Sequence, residues 1–361
     1  MQLVPITELS FDRFAPVLGP AGAARLRRSI ADGRRLLGGR TLWHVSSTAV
    51  GGGVAEMLQT LLGYERGAGL DVRWIVLEGD EPFFRVTKRL HHHLHGEPGD
   101  GGALGDAERR TYDAVIERNA ARVLETVTPG DVVMLQDPQT AGLAPRLAAA
   151  GATVVWRCHI GADHANRQTR DGWAFLRPYL RHADAYVFSR GRYIPTWLDG
   201  APTFVMPPAI DAFAVKNEPL SQRQTRSTLQ HIGLLAYRPG PVDYTFERVD
   251  GTTGRVHRRA ELVQTAPVPH WSCPLIVQVS RWDPLKDMEG VMAGFVRALG
   301  HLGNAHLALV GPEVSAVSDD PEGQQVLERC VRAWHRLPAS AKERVHLVCL
   351  PMEDVEENAA M

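Results

Sequence analysis

From residue 40 onward, short runs of apolar and β-branched side chains alternate with stretches in which apolar residues recur every three or four positions. The first pattern predicts strands buried on both faces, and the second predicts the helices that cover them. Their alternation is that of an α/β fold with a parallel sheet. Strands are predicted over 41–46, 72–77, 131–135, 153–157, 185–189 and 203–206. After the first of them, Val54, Met57, Leu58, Leu61 and Leu62 fall on one helical face, and Gly67 or Gly69 ends the helix. Ahead of all of them, 21–37 reads as an amphipathic helix. These elements make one doubly wound unit.

Between 222 and 269 the periodicity fades into a polar stretch containing Gly, Pro and Arg, which predicts an insertion or long connection. A second series then opens, with strands over 275–280, 306–310 and 345–350 and helices over 288–302 and 324–337. The expected organisation is an N-terminal Rossmann-like domain over 1–215, a connection over 216–270 and a partial C-terminal Rossmann-like domain over 271–361. Residues 353–361 read as the first turns of a helix. So few strands leave an open sheet with a bare edge, and the second domain is expected to be incomplete, the chain a fragment.

A length of 361 residues exceeds what one core usually organises, in keeping with two domains. With 40 Lys and Arg against 41 Asp and Glu, no excess of positive potential is available for a polyanion. Nucleic acid and membrane surfaces are therefore not expected partners. No apolar run follows a basic start and no long uncharged stretch occurs, so a cytoplasmic protein is expected. Cys158, Cys273, Cys330 and Cys349 form no Cys-x-x-Cys pair, which favours reduced thiols over disulfides or zinc. A homo-oligomer is compatible with all of this.

Candidate chemistry lies in the loops that follow strands. In 46–54 the glycines Gly51, Gly52 and Gly53 precede a helix, where bare backbone amides and the positive helix end suit an anion or a sugar hydroxyl. A tight turn would need only one of them. The loop lacks the Lys-Ser or Lys-Thr of a nucleoside triphosphate site and does not fit Gly-x-Gly-x-x-Gly. Glu78, past the second strand, is where a nicotinamide-binding fold keeps its ribose ligand; the unmatched glycine pattern opposes that reading, and a solvated or loop-capping Glu is the plain alternative.

Asp137 directly follows the strand over 131–135, and His159 follows the strand over 153–157, beside Arg157. Carboxyl ends of strands line the ligand crevice of open α/β sheets, so these residues and the glycine loop should converge. Helix capping is the alternative for Asp137, and an ordinary loop histidine the alternative for His159. In the second half, Arg281 and Lys286 again lie between a strand and a helix, where two cations could neutralise a diphosphate leaving group. A solvated basic pair is the other reading. In the run His91-His92-His93 with His95, adjacent histidines do not converge on one ion as an i, i+4 helical pair can, and no nearby carboxylate pattern completes a site, so a surface or substrate-cleft loop with no metal is expected.

Taken in order, Ser47-Thr48 leading into Gly51-Gly52-Gly53-Val54-Ala55-Glu56, Asp137-Pro138-Gln139, Trp156-Arg157-Cys158-His159-Ile160, Met206-Pro207-Pro208-Ala209-Ile210-Asp211, Ser280-Arg281-Trp282-Asp283-Pro284-Leu285-Lys286-Asp287 and Asp319-Asp320-Pro321-Glu322-Gly323 resemble the trehalose glycosyltransferring synthases. These are retaining glycosyltransferases of the GT-B, family 4 type. The resemblance implies two Rossmann-like domains facing a cleft, the acceptor side over 1–215 and the donor side over 271–361, and transfer of glucose from a nucleoside diphosphate glucose to glucose, giving trehalose, with no cofactor and no metal. It implies that the glycine loop touches the acceptor and the donor phosphates, with Gly52 among the diphosphate contacts. Asp137 and His159 would contact sugar hydroxyls, Arg281 and Lys286 would hold the diphosphate, and Arg157 and Glu78 would complete the substrate-binding set. The family's Glu-rich donor segment has no match before Met361. Two alternatives therefore stand: a trehalose phosphorylase, and a catalytically silent fragment or sugar-binding remnant.

Overall fold

A computed structural model of the chain describes residues 1–50, 52–265, 268–314 and 322–361. It divides into two compact units, Met1–Ala49 with Gly53–Ile210, and Val50–Gly52 with Asp211–Met361.

In the first unit the strands are β1 (Gln2–Val4), β2 (Leu42–Ser46), β3 (Val72–Val76), β4 (Val132–Gln136), β5 (Thr153–Cys158), β6 (Ala185–Phe188) and β7 (Thr203–Val205). The helices are α1 (Ala15–Leu37), α2 (Gly53–Gly67), α3 (Glu81–Leu94), α4 (Asp106–Val123), the single turn α5 (Asp137–Thr140), α6 (Ala144–Ala149) and α7 (Arg167–Leu180). Among the described residues the sheet has seven strands in the order β1-β3-β2-β4-β5-β6-β7, parallel except for β1. Val45, Val133, Leu135, Val154, Trp156 and Phe188 are buried between covering helices, as continuous apolar strands require.

The strand order reverses at β2: the chain steps outward to β3, then returns past β2 to β4. That reversal is the topological switch point of an open α/β sheet, and the loops after β2 and β4 border it. At the opposite ends of these strands, Asp131 ties the two together. Its carboxylate accepts from Thr41 N at 3.1 Å and from Trp43 Nε1 at 3.1 Å. Burial alone would raise its pKa, but hydrogen bonds from Thr128, Trp43 and Thr41 prevail and hold it below the usual carboxylate value.

The second unit contains α8 (Gln222–His231), β8 (Thr245–Glu247), β9 (Thr253–Arg255), β10 (Glu261–Val263), β11 (Leu275–Val279), α9 (Met288–Ala298), β12 (His306–Pro312), α10 (Gly323–His335), α11 (Ala339–Lys342), β13 (Val345–Leu350) and α12 (Val355–Ala360). Its main sheet among the described residues runs β10-β13-β12-β11, with β10 antiparallel and the other three parallel. The stretch read from sequence as a connection thus supplies α8, a β8–β9 hairpin and an edge strand of this sheet. Its periodicity is faint because these strands are three residues long. Arg248 pairs with Asp354 and with Glu356, each at 2.7 Å, and the Glu357 carboxylate accepts from the His257 and Arg258 backbone. These bonds fasten the hairpin region to the start of α12. On β11, Ile276, Val277 and Val279 are exposed.

Two helices absent from the sequence reading, α4 and α7, brace the loop after β4. The fully buried Tyr112 hydroxyl of α4 donates to Pro138 O at 2.8 Å and accepts from Gly142 N at 2.8 Å. Tyr112→Phe would leave both backbone groups without a partner in the core. We expect a loss of about 1–3 kcal/mol in unfolding free energy, read from urea denaturation; an unchanged midpoint would show that the phenol does not clamp this loop.

Candidate functional site

The loop after β4 begins with an unusual backbone. Asp137 has φ +60°, in the left-handed region that non-glycine residues rarely occupy. Among the described residues only Asp287 shares this, at φ +48°. Such a conformation is held in place by its surroundings. Asp137 Oδ1 accepts from the His159 backbone N–H at 2.8 Å, and its carbonyl accepts from Trp156 Nε1 at 3.0 Å. The side chain therefore does not cap the turn it begins; that cap position is Gln136, which makes no side-chain cap bond. Asp137 instead fastens the end of β4 to the end of β5.

His159 is partly buried, and its Nε2 lies 2.8 Å from Gln136 Oε1. Burial lowers its pKa, with the nearby Asp137 charge acting in the opposite direction and Arg157 acting with burial. The ring is therefore neutral near pH 7. Arg157 is 5% exposed, yet its guanidinium makes no hydrogen bond or ion pair among the described residues. Burial lowers its pKa, and the charges of Asp137 and Glu65 oppose that shift; it remains a cation. A buried guanidinium without bonded partners has donors available for a ligand. Asp137, Arg157 and His159 thus come together at the carboxyl ends of β4 and β5, next to the switch point.

Glu78 does not join them. It is exposed, its carboxylate pairs with the Met1 amino group at 2.7 Å and with Arg122 at 2.6 Å, and its pKa is lowered chiefly by the bond from that amino group. The reason is positional: Glu78 lies beyond the end of β3, where Arg122 on α4 can reach it. Of the glycine loop, Gly51 lies outside the described residues, as do Asp319, Asp320 and Pro321 of the later motif. Gly53 begins α2, and a Cβ built there meets nothing within 4 Å. Neither Gly52 nor Gly53 has a positive φ. Backbone strain therefore does not require glycine at either position, and packing does not require it at Gly53, which leaves room there for a ligand to approach.

In the second unit, the segment after β11 carries Arg281, half-buried, and Lys286, exposed, in the turn that leads to α9. Trp282 and Asp283 anchor it. The indole is buried and donates to Pro312 O at 3.0 Å, and the Asp283 carboxylate accepts from Leu285 N at 2.8 Å. Asp287 caps α9 by accepting from Gly290 N at 3.1 Å. The two cations therefore sit on a fixed strand-to-helix turn. The histidine run is not a loop: His91, His92 and His93 lie in the last turn of α3, and His92 and His93 are buried against its neighbours.

Three side chains at the first site were absent from the sequence reading: Gln136, His44 and Glu65. The signal was available for two of them. His44 and Gln136 are polar residues inside the apolar runs of β2 and β4, each only 1% exposed. Such residues are buried only with partners.

Residues 44–195 match the sequence family described as "Trehalose synthase, N-terminal domain". A trehalose synthase of Rubrobacter xylanophilus is 33% identical over 291 residues, covering 80% of this chain and 59% of that protein. A trehalose phosphorylase of Pleurotus pulmonarius is 31% identical over 154 residues, covering 39% of this chain and 21% of that protein. The chain thus spans less than two thirds of the length of the curated relatives it matches. Among solved structures, an α,α-trehalose-phosphate synthase (UDP-forming) from Burkholderia xenovorans, in complex with glucose-6-phosphate, superposes with a TM-score of 0.58 at 14% identity. That alignment covers 89% of this chain and 76% of that one. At this identity the likeness shows the fold, which is that of the GT-B glycosyltransferases. The segment that holds Asp137, Arg157 and His159 thus belongs to the trehalose synthase N-terminal domain family, and similarity to the trehalose synthases extends over 80% of the chain.

Proposed function

We propose that this chain takes part in retaining transfer of glucose from a nucleoside diphosphate glucose to free glucose, giving trehalose. The observation that carries this reading is the meeting of Asp137, Arg157 and His159 at the switch point, inside the segment matched to the trehalose synthase N-terminal domain. A neutral imidazole, a carboxylate and a buried guanidinium can together bind several hydroxyls of one sugar.

In this reading the bond between the glucose C1 and the diphosphate oxygen breaks while the acceptor oxygen bonds to C1 on the same face. The acceptor proton passes to the departing phosphate oxygen, so the products are trehalose and a nucleoside diphosphate. Arg281 and Lys286 absorb the negative charge that builds on the leaving group, the electrostatic task a metal performs elsewhere. The glycines at 51–53 offer backbone N–H groups to sugar or phosphate. Glu78 is given no part in binding, because its carboxylate is already engaged. The trehalose-phosphate synthase likeness points to related sugar acceptors, and the trehalose synthase match covers twice as much of the chain as the phosphorylase match.

Incubation with ADP-, UDP- or GDP-glucose and glucose should yield trehalose. Failure with all three would overturn the reading; product formed only from glucose 1-phosphate, with release of phosphate, would replace it by a phosphorylase. Micromolar binding of the nucleotide sugar by calorimetry excludes a dead donor site. Arg281→Ala and Lys286→Ala should each lower turnover by about a hundredfold, and an effect below about threefold would remove that residue from the mechanism.

Asp137 separates structure from chemistry. Asn tolerates the left-handed backbone and its side-chain oxygen can still accept from His159 N, so Asp137→Asn should keep the fold while lowering turnover. Asp137→Leu loses the acceptor in a strained position and should cost about 1–3 kcal/mol of stability in denaturant titration. Equal stabilities for the two variants would contradict the fastening role.

A further inference from the structure

His44 and Gln136 are side chains of neighbouring parallel strands, buried where no solvent can settle their hydrogen bonds. From one end, the Glu65 Oε2 of α2 lies 3.3 Å from His44 Nε2. His44 Nδ1 is 3.4 Å from Gln136 Nε2, and Gln136 Oε1 is 2.8 Å from His159 Nε2. Glu65 Oε2 and His44 Nε2 are both buried and face each other at that distance, and neither makes a hydrogen bond to a described residue. Four polar side chains therefore form one row from α2, through the interior of the sheet, to the loop that bears His159.

The row has a direction, and chemistry at one end sets it. A carboxylate only accepts, and at 3.3 Å the Glu65 charge favours the tautomer that puts the proton on the His44 nitrogen facing it. In a neutral ring the other nitrogen, Nδ1, is then an acceptor, and only the Gln136 amide NH2 can satisfy it. That turns the Gln136 carbonyl toward His159, whose Nε2 must in turn be the protonated one. His159 Nδ1 is left as an acceptor, suited to receive a hydrogen bond from a hydroxyl.

We propose that Glu65, His44 and Gln136 are positioning residues that fix His159 in its Nε2–H tautomer, so that Nδ1 is the atom offered to a sugar hydroxyl. The assignment of a sugar rests on the function proposed above; the tautomer does not. The lowered pKa of His159 agrees, since only a neutral ring has a tautomer to select. A doubly protonated His44 would reverse the row: it would donate through Nδ1, the Gln136 amide would turn over, and His159 would offer an N–H instead. The two arrangements are opposite in sign and can be told apart.

The test is nitrogen-15 NMR of histidine-labelled full-length chain near pH 7.5, with the His159 signals identified by their loss in His159→Asn. The wild-type ring should appear as Nε2–H with Nδ1 unprotonated. In Glu65→Gln an amide, which can donate as well as accept, replaces the carboxylate, and His159 should become a mixture of tautomers although it is not the substituted residue or its neighbour. Gln136→Met, similar in size but without donor or acceptor, should give the same mixture and serves if Glu65→Gln fails to fold, with circular dichroism and the urea midpoint as controls for folding.

An Nδ1–H tautomer in the wild type would overturn the proposal, as would a tautomer ratio unmoved in a folded Glu65→Gln or Gln136→Met. Because the readout needs no substrate, its failure leaves the transfer reading standing, and an inactive chain leaves the tautomer result standing. Where transfer is measurable, Gln136→Met should raise the acceptor KM about tenfold, the weight of one hydrogen bond lost or reversed.

Discussion

Asp137 is the residue on which the geometry of the first unit's site depends. One residue in a strained conformation accepts the His159 N–H with its carboxylate and the Trp156 indole N–H with its carbonyl, joining two adjacent strand ends. The strain at φ +60° is opposed by those bonds and by the Tyr112 hydroxyl, which holds Pro138 and Gly142 from below. Arg157 lies between the bonded Trp156 and His159, so the side chains of Arg157 and His159 inherit the same alignment. A loop is normally the variable part of an α/β unit; here it is held as tightly as the strands that feed it.

The six parallel strands of the first unit's sheet were legible as apolar runs, whereas the three-residue antiparallel β1 was not, and the carboxyl-end rule then located Asp137 and His159 without any knowledge of contacts. Their roles within the fold were less legible. Local sequence made Asp137 a candidate cap for the following helix, whereas its carboxylate bonds to a residue far along the chain, a tertiary contact that no local pattern encodes. Glu78 was misjudged for a similar reason: past the end of β3, it is drawn to Arg122 on a helix whose polar face gave no periodic signal. The short strands β8, β9 and β10 were read as a connection because three residues are too few to establish a period of two. His44 and Gln136 were visible as polar interruptions, but only coordinates showed that they face each other.

The two units use basic side chains in different ways. In the first, Arg157 is withdrawn from water and faces the field of Asp137 and Glu65 without bonding to either. Its donors stay directed and unspent, which favours selection of a ligand by geometry. In the second, Arg281 and Lys286 ride on a turn anchored by Trp282 and Asp283, with Lys286 exposed to solvent and free to follow a moving charge. In the transfer reading proposed above, a rigid donor for recognition and a mobile cation for a leaving group are distinct tasks, and burial is what separates them.

The apolar side chains that β11 presents to solvent have a practical consequence. Ile276, Val277 and Val279 sit on a strand that is the last of its sheet among the described residues, where backbone groups capable of pairing and a greasy surface are offered together. Strands of this kind adhere to their own copies. Concentrated stocks of this polypeptide should cloud or gel before they crystallise, and a lysine placed at Val277 would be the simplest way to keep them clear.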